Sequence, residues 1–280
     1  MYYILYNPYS SNGKGIEFAK KLANDFEKEN KEYIIEDLVK LSHDAKGFLA
    51  TIDKKDSIVI IGGDGTLHRF VNGVRGLSFE NQIYLYKAGT GNDFSREFRG
   101  QKLIHLNEYI KNLPSVSVND LDDELFLNCS GFGVDGEVCQ LVNKNSNHKK
   151  GIQYFKDALK VFKNFKRYNL EVYVDGIRHI YKKVIFTTVM NGKYFGGGMK
   201  LSPTSNRSDD LLEVYVIHSL PLWKLILIFP LIFIGKHMKF KSLGISTIVG
   251  KKIDAFASEK LVFQTDGEVK EEVSKFSIKL

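Results

Sequence analysis

One short segment, Gly62–Thr66 with the sequence G-G-D-G-T, combines glycines with a single carboxylate, that of Asp64. It follows the apolar run Ser57–Ile61 and precedes a helical pattern that starts at Leu67. Glycines between a strand and a helix let backbone N–H groups approach phosphate oxygens, and the helix N-terminus attracts an anion. Asp64 would there meet a magnesium ion or the reacting phosphoryl group. The alternative is a tight strand-to-helix turn in which Asp64 serves only as the N-cap.

Two more polar loops follow strand-like segments in the first half of the chain. Asn7–Gly15 could hold a nucleotide through asparagine, serine and backbone donors, but it lacks the spacing of a Walker loop, and an ordinary connection explains it equally well. Gly89–Phe94 comes after the apolar segment Ile83–Tyr86. Because ligands bind outside the carboxyl ends of parallel strands, three such loops at one edge predict a nucleotide or phosphate site.

Two segments of the second half could also carry chemistry. Asn191–Met199 is dense in glycine and is followed by the acidic pair Asp209 and Asp210. Backbone carbonyls and a carboxylate could bind a cation there, although a surface loop between two strands fits equally well. Thr265–Glu268 has the sequence T-D-G-E, and Asp-Gly is by itself a common hairpin turn. Neither segment alone decides between a binding site and a loop.

The elements that must position the first three loops alternate between strand and helix. Apolar periodicity predicts strands at Tyr2–Tyr6, Tyr33–Asp37, Ser57–Ile61 and Ile83–Tyr86, and helices at Ile16–Glu29 and from Leu67 onward. This βαβ pattern predicts a parallel sheet with helices on both of its faces.

Beyond Val116 the pattern changes, and strands dominate. Asp175-Gly176 predicts a hairpin turn. We expect helices at Val134–Val142 and Ile152–Phe165, strands at Asn169–Val174, Ile180–Val189 and Leu211–Ile217, and several short strands after Ile245. The fold class is therefore an α/β domain over residues 1–118 followed by an antiparallel, sandwich-like β domain over residues 119–280.

Charge is unevenly distributed along the chain, whose formal net charge is +7. Basic residues concentrate in Asn143–Lys183 and in Val214–Ile253, and the second stretch has six lysines and no acid. No helix-turn-helix, zinc or RNA-recognition signature accompanies them, so nucleic acid is not an expected partner. The second stretch surrounds Leu220–Ile234, which is apolar on nearly every side and shorter than a bilayer span. It predicts either a segment lying on an anionic lipid surface or a buried core helix.

Six motifs in a fixed order bear on these alternatives. They are N-P-x-S at Asn7, G-G-D-G-T at Gly62, G-T-x-N-D-F at Gly89, N-G-x-Y-x-G-G-G-M at Asn191, S-P at Ser202 and T-D-G-E at Thr265. Together they resemble the diacylglycerol kinase catalytic-domain family, which includes bacterial lipid kinases and the sphingosine and ceramide kinases. The G-G-D-G-T element is shared with NAD kinases and phosphofructokinases, whereas the later motifs point to the lipid branch.

This resemblance implies an N-terminal domain like those of NAD kinases and phosphofructokinases, a C-terminal β-sandwich-like domain, and ATP in the cleft between them. The residues that would line the nucleotide are Asn7, Pro8, Tyr9, Ser10, Ser11, Gly62, Gly63, Asp64, Gly65, Thr66, Leu67, His68, Thr90, Asn92 and Asp93.

The resemblance also implies the chemical roles of several acids. Asp64 would sit with Mg²⁺ and the triphosphate, and Glu268, with Asp266 beside it, would accept the proton of the lipid hydroxyl. Asp93 and Asp120 would belong to an acidic network around the site. A second, structural Mg²⁺ would be held by Asp209 and by backbone carbonyls such as those of Asn206 and Leu211.

Four positions depart from the family pattern. His68 stands where Asn is usual, Ser11 where Gly is common, and Asp122 and Asp210 where Gly is frequent. A histidine at position 68 can still donate a hydrogen bond to a nucleotide. The acids with implied roles are all present.

Taken together, the sequence predicts an ATP- and Mg²⁺-dependent lipid kinase whose expected substrate is diacylglycerol and whose product is phosphatidic acid. The rivals are a soluble-metabolite kinase of the NAD-kinase type and a nucleotide-binding regulatory protein without turnover. Two cysteines and the lack of a visible leader predict a cytoplasmic protein. We expect it to associate peripherally with an anionic membrane, at the inner face, where its lipid substrate lies, and the resemblance leaves a homodimer open.

Overall fold

The computed structural model describes residues 1–41, 45–77, 80–89, 91–121, 123–144 and 159–280. The chain divides into two compact units, Met1–Asn112 and Leu113–Leu280. The sequence placed the boundary at residue 118, whereas strand Ser115–Val118 pairs antiparallel with a strand near the C-terminus, at Glu268–Lys279. These residues are therefore part of the second unit.

The first unit is built on a five-stranded sheet. Its strands are β1 (Tyr2–Tyr6), β2 (Tyr33–Asp37), β3 (Ser57–Gly62), β4 (Gln82–Lys87) and β5 (Leu103–His105). The order across the sheet is β2-β1-β3-β4-β5, and every pair is parallel except β4 with β5. The predicted parallel sheet is confirmed, and the carboxyl ends of β1, β3 and β4 lie at one edge.

The helices of this unit follow its strands. They are α1 (Gly15–Lys28), α2 (Ala45–Thr51) and α3 (Asp64–Gly73), with short helical turns at Ser10–Gly13, Leu38–Leu41, Phe94–Glu97 and Asn107–Ile110. In α1, the residues Ala19, Leu22 and Phe26 recur at helical spacing and are buried, which confirms the predicted amphipathic helix. Helix α3 begins three residues earlier than the expected Leu67, because Gly63 is its N-cap.

The second unit contains an antiparallel sheet of nine strands. They are β6 (Ser115–Val118), β7 (Glu124–Leu125), β8 (Cys129–Gly133), β9 (Tyr168–Val174), β10 (Ile177–Met190), β11 (Leu212–His218), β12 (Ile245–Gly250), β13 (Lys252–Thr265) and β14 (Glu268–Lys279). The main path is β12-β11-β10-β8-β13-β14-β6-β7, and β9 pairs with both β10 and β13. The predicted antiparallel β-rich domain is confirmed.

The segment from Ile245 onward differs from the sequence-based expectation. In place of several short strands after Ile245, it has β12 and two long strands, β13 with 14 residues and β14 with 12. Strand β13 is long because it pairs with β9 near its start and with β8 near its end. Irregularities of register within it conceal this length from a search for regular alternation.

Two helices of the second unit lie in described residues in full, α4 (Val134–Lys144) and α5 (Leu222–Ile232), and a 3₁₀ segment spans Lys236–Leu243. Of the helix expected over Ile152–Phe165, residues 159–164 are helical, and residues 152–158 lie outside the described part of the chain. The predicted turn at Asp175-Gly176 is present, with φ of 50° and 83°.

Helix α5 divides the apolar segment Leu220–Ile234 into two faces. Leu225, Ile228 and Ile232 recur at helical spacing and are buried in a core cluster with residues of β8, β10 and β11. The opposite face is also apolar, and its exposed side chains are Trp223, Ile226, Leu227, Phe233 and Ile234. The buried face fits the core-helix interpretation, whereas docking of the exposed face on a lipid surface stays a prediction. Among the described residues, no helix is long and apolar enough to cross a membrane.

Candidate active site

Asp64 connects two of the glycine-bearing loops of the first unit. It is the first residue of α3 and is separated from β3 by Gly63 alone. Gly63 takes the N-cap position, so the interpretation of Asp64 as the N-cap is wrong. Its carboxylate accepts hydrogen bonds from the backbone N–H groups of Asp93 and Phe94, each at 2.9 Å. The carboxylate therefore fixes the loop that follows β4 against the start of α3.

Glycine is required where these two loops meet. A Cβ on Gly63 would lie 2.8 Å from the Cα of Gly89, and a Cβ on Gly89 would lie 2.4 Å from the Cα of Gly63. Both contacts involve backbone, which cannot move aside as a flexible side chain can. Asn92, with φ of 54°, closes the second loop by accepting a hydrogen bond from the Gly89 N–H at 3.1 Å.

The loop after β1 is attached to the same place. Asn7 is buried, and its side-chain amide donates to the Thr66 hydroxyl in α3 at 3.0 Å. The Ser11 hydroxyl donates to the Ala88 carbonyl at 2.6 Å, just beyond the end of β4. A Cβ on Gly15 would lie 1.9 Å from the Asn7 carbonyl oxygen, so α1 approaches this loop at van der Waals limits. The three loops that the sequence singled out thus meet at one edge of the sheet.

The remaining residues proposed for the nucleotide differ in what they can offer. Tyr9 is exposed, whereas His68 is buried and accepts the Asn72 side-chain amide through its backbone carbonyl at 3.0 Å. The side chain of Leu67 is fully buried in the core, so only its backbone could reach a ligand. Thr90 and Asp122 lie outside the described residues.

The two acids of the predicted acidic network belong to different units. Asp93 is buried in the first unit, with the Arg96 guanidinium 3.5 Å from its carboxylate. Asp120 is in the second unit, where its exposed carboxylate accepts the Lys275 ammonium at 2.8 and 3.0 Å. The network itself stays a prediction.

The T-D-G-E motif forms the tight turn between β13 and β14. Asp266 and Gly267 have φ of 48° and 95°, which is the pattern of a type I′ turn, and Thr265 pairs with Glu268. The hairpin interpretation of this motif is therefore correct as far as the backbone goes. Glu268 is the first residue of β14 and is exposed.

The carboxylate of Asp266 has a structural task in this turn. It accepts hydrogen bonds from three consecutive backbone N–H groups, those of Leu127 at 2.6 Å, Asn128 at 2.8 Å and Cys129 at 3.2 Å. The Asp266 N–H in turn donates to the Cys129 carbonyl at 3.0 Å. The turn that carries Glu268 is thereby fixed to the start of β8.

The loop around Asp209, where the structural Mg²⁺ was expected, supplies oxygen atoms. The Asp209 carboxylate accepts the Leu211 N–H at 3.0 Å, and the Asp209 N–H donates to the Asn206 carbonyl at 3.3 Å. Carboxylate and carbonyl oxygens are the ligand type that Mg²⁺ takes, so the donor set fits this ion. Within the described residues, no group of three or more His, Cys, Asp or Glu side chains could hold a metal.

Residues that sequence reasoning missed contact Leu127 and Asn128, the segment to which Asp266 fixes the T-D-G-E turn. Arg207 donates to the Leu127 carbonyl and, at 2.6 Å, to the side-chain oxygen of the buried Asn128. Asn191 donates to the same carbonyl at 2.9 Å. Asn191 begins a motif that the sequence does mark, but nothing in the sequence indicates a role for Arg207 or Asn128, because their contacts join distant parts of the chain.

Comparison with known proteins assigns both halves of the chain. Residues 1–122 match the diacylglycerol kinase catalytic domain, and residues 129–277 match the YegS C-terminal NAD kinase beta sandwich-like domain. A Bacillus subtilis protein named "Putative lipid kinase YtlR" is 27% identical over 234 residues, which cover 77% of this chain and 75% of that protein. The diacylglycerol kinase of the same organism is 24% identical over 276 residues, 95% of this chain and 88% of the relative.

A solved structure supports the fold. The crystal structure titled as a putative diacylglycerol kinase from Bacillus anthracis covers 99% of this chain and 91% of its own, with a TM-score of 0.71 and 23% sequence identity. The expected enzyme class, a lipid kinase, is confirmed by the family match. The chain belongs to the diacylglycerol kinase catalytic-domain family and carries a C-terminal domain of the YegS type.

Proposed function

We propose that the protein is an ATP- and Mg²⁺-dependent kinase that phosphorylates a lipid hydroxyl, with diacylglycerol as substrate and phosphatidic acid as product. The observation that carries this proposal is the junction at Asp64, where one carboxylate binds two backbone N–H groups of the next loop. Family membership supports the reaction class, and kinases of this kind use ATP.

On the nucleotide side, the chain's own groups bind and orient phosphates. The start of α3 presents backbone N–H groups and the positive end of a helix dipole to an anion. Gly63 and Gly89 let the loops after β3 and β4 meet closely there, because a Cβ on either glycine would touch the Cα of the other. Asp64 would hold Mg²⁺, which neutralises the charge of the triphosphate when bound. Asp209 and the Asn206 carbonyl would hold the second, structural ion.

On the acceptor side, Glu268 takes the proton of the lipid hydroxyl. The hydroxyl oxygen forms a bond to the γ-phosphorus, the bond from that phosphorus to the bridging oxygen of ADP breaks, and the proton goes to the Glu268 carboxylate. Asp266 fixes the turn from which Glu268 projects. A base acts only when it is within hydrogen-bond reach of its proton, so this fixation matters for rate.

We place the lipid surface at the exposed face of α5. Trp223 and Leu227 are 61% and 67% exposed and share their face with the exposed Ile226, and soluble proteins rarely leave a large contiguous apolar patch uncovered. Lys224 has its ammonium 5.4 Å from the Trp223 ring, and Lys236 and Lys239 are exposed just beyond the helix. Apolar side chains flanked by lysines match a bilayer with anionic headgroups, at the inner face of a membrane.

One assay tests the reaction against both rivals. The purified protein is incubated with ATP labelled on the γ-phosphate and with diacylglycerol in anionic vesicles, with NAD, or with no acceptor. We expect labelled phosphatidic acid and no labelled NADP. Labelled NADP alone would support a soluble-metabolite kinase, and ATP binding with no labelled product would support a regulatory protein. Either result would overturn the proposed function.

A pair of double variants tests the docking face. Trp223→Ser with Leu227→Ser should weaken binding to vesicles of phosphatidylcholine and phosphatidylglycerol by at least about 10-fold, since each side chain loses apolar burial. The melting temperature should stay close to that of the parent, because both side chains are already exposed. Binding and melting are measured by co-sedimentation and by a thermal scan.

The matched control changes the buried face of the same helix. Leu225→Ser with Ile228→Ser should lower the melting temperature sharply, because each substitution removes a core side chain.

Raising the salt concentration should weaken the contribution of the lysines to vesicle binding by the parent and spare the apolar contribution. Unchanged vesicle binding by the exposed-face variant would exclude α5 as the docking element.

A further inference from the structure

A buried amide lies directly behind the T-D-G-E turn. Gln264, near the end of β13, is 2% exposed. Its side-chain carbonyl accepts the Gly267 N–H at 3.1 Å, and its NH₂ group donates to the Asp135 carboxylate at 3.2 Å and to the Cys129 sulfur at 3.3 Å. Because donor and acceptor ends both have partners, the amide has one satisfied orientation.

Asp135 holds the other end of this chain of hydrogen bonds. It lies in the first turn of α4, next to Gly136, where a Cβ would be 2.3 Å from the Val262 carbonyl oxygen of β13. The close approach of helix and strand therefore requires glycine at 136, and it brings the Asp135 carboxylate against Gln264. The second carboxylate oxygen, Oδ1, is buried as well.

The surroundings of Asp135 disfavour its charge. Burial raises the pKa of this carboxyl from 3.8 to about 7, against the opposing effects of the Gly136 N–H and the Gln264 amide. The titratable groups around it are Cys129 on β8, Cys139 on α4 and Tyr168 on β9. Burial raises the pKa of each of these three groups, and the Asp135 charge adds to the effect. Burying an ionisable carboxyl in such surroundings costs free energy.

We propose that Asp135 and Gln264 are positioning residues that hold the Gly267 N–H and thereby the direction in which Glu268 leaves the turn. This inference rests on the proposed function, since it concerns the group that would accept the lipid proton. Asp266 anchors the turn to Leu127–Cys129 on one side, and Gln264 anchors it to α4 on the other. Asn143 of α4 also donates to the Gly267 carbonyl, at 3.2 Å. A turn held from both sides keeps its base in place, and small misplacements of catalytic groups cost rate.

The first test removes the amide. Gln264→Leu should increase the hydrogen-exchange rate of the Gly267 N–H by about 10-fold or more, since that donor loses its acceptor. The kcat for the lipid should fall by about 10-fold while the KM for ATP stays unchanged. Gln140→Leu is the matched control, because Gln140 is a half-buried amide on α4 whose side chain donates to Glu271, a residue of β14 beyond the turn.

The second test exchanges the two functional groups. Gln264→Glu alone places two carboxyl groups in contact, which can be accommodated only while they share a proton. Its kcat relative to the parent should therefore fall as the pH rises from 6 to 8. Adding Asp135→Asn restores a donor–acceptor pair with the amide and the carboxylate interchanged, and should restore both kcat and its pH profile.

The results distinguish a failure of the positioning role of Asp135 and Gln264 from a failure of the proposed kinase activity. A double variant no more active than Gln264→Glu, or a Gln264→Leu variant with faster Gly267 exchange and full kcat, would reduce the pair to a structural contact. The exchange rate of the Gly267 N–H needs no substrate. If the parent phosphorylates no lipid, the proposed function is lost, while unchanged exchange in Gln264→Leu would refute the contact itself.

Discussion

In each of the two units, an aspartate carboxylate fixes a turn to a distant segment of the chain through backbone N–H groups. Asp64 in the first unit binds the backbone N–H groups of Asp93 and Phe94, and Asp266 in the second binds those of Leu127, Asn128 and Cys129. Each aspartate stands beside glycine in a short turn and ties that turn to another segment of its own unit. A motif carboxylate can therefore organise the backbone of its own unit.

The difference between the two lies in what each turn presents. Asp64 opens a helix after a parallel strand, and the N-terminus of a helix is a position that favours an anion. Asp266 sits between two antiparallel strands, and the residue that follows its glycine is the exposed carboxylate of Glu268. We infer that Asp64 acts at the phosphates by holding Mg²⁺, whereas Asp266 acts mainly through the placement of Glu268.

The strongest test of this comparison is Asp64→Asn. We expect kcat to fall by at least about 10²-fold, since the variant loses the charge that would hold Mg²⁺ near the phosphates. Asp37→Asn is the control, because Asp37 ends β2 and its carboxylate also accepts a backbone N–H, that of Val39 at 2.9 Å. Steady-state kinetics and a thermal scan of both variants check the result. Near-full kcat in Asp64→Asn would show that the carboxylate only ties the loop.

Glu268→Gln should come next in size. The substitution keeps the shape of the side chain and removes the base, so kcat should fall by about 10²-fold with little change in the KM for ATP. Glu271→Gln, an exposed glutamate on the same strand, should leave kcat as it is in the parent. A higher KM for ATP with unchanged kcat would assign Glu268 to nucleotide binding instead.

Asp266→Ala should show its effect in stability. Three N–H groups lose their acceptor, and the free energy of unfolding should fall by about 1–3 kcal/mol. Urea denaturation measures this change. Asp120→Ala removes a carboxylate of the same unit whose side chain is 76% exposed, and it should change stability very little. Equal effects of the two variants would contradict the anchoring role of Asp266.

The smallest effect is a dependence of stability on pH behind the same turn. The pKa of Asp135 is raised to about 7 in the folded protein, so the folded state keeps a proton that the unfolded state has already lost. Stability must then decrease as pH rises, by about 1 kcal/mol between pH 6 and pH 8 from this group. Asp135→Asn should flatten that part of the profile in denaturation measured at several pH values. An unchanged slope would show that Asp135 does not titrate there.

Much of the fold could be predicted from local sequence patterns. The strand at Tyr33–Asp37 and the amphipathic spacing of α1 are visible because each depends on residues a few positions apart. The long strand β13 was not predicted, because its irregular register breaks the alternation of apolar and polar residues. Helix α5 is apolar on both sides, so its sequence could not indicate which face would be buried.

By itself, the sequence determined the hairpin turns at Asp175-Gly176 and Asp266-Gly267 and the order of six motifs. Only the tertiary structure decided what those residues contact. Asp64 meets Asp93 at a separation of 29 residues, Gln264 meets Asp135 at 129, and Asp266 meets Leu127 at 139. Periodicity records the local backbone, whereas hydrogen bonds across such separations depend on how strands are ordered in a sheet, and no local pattern specifies that order.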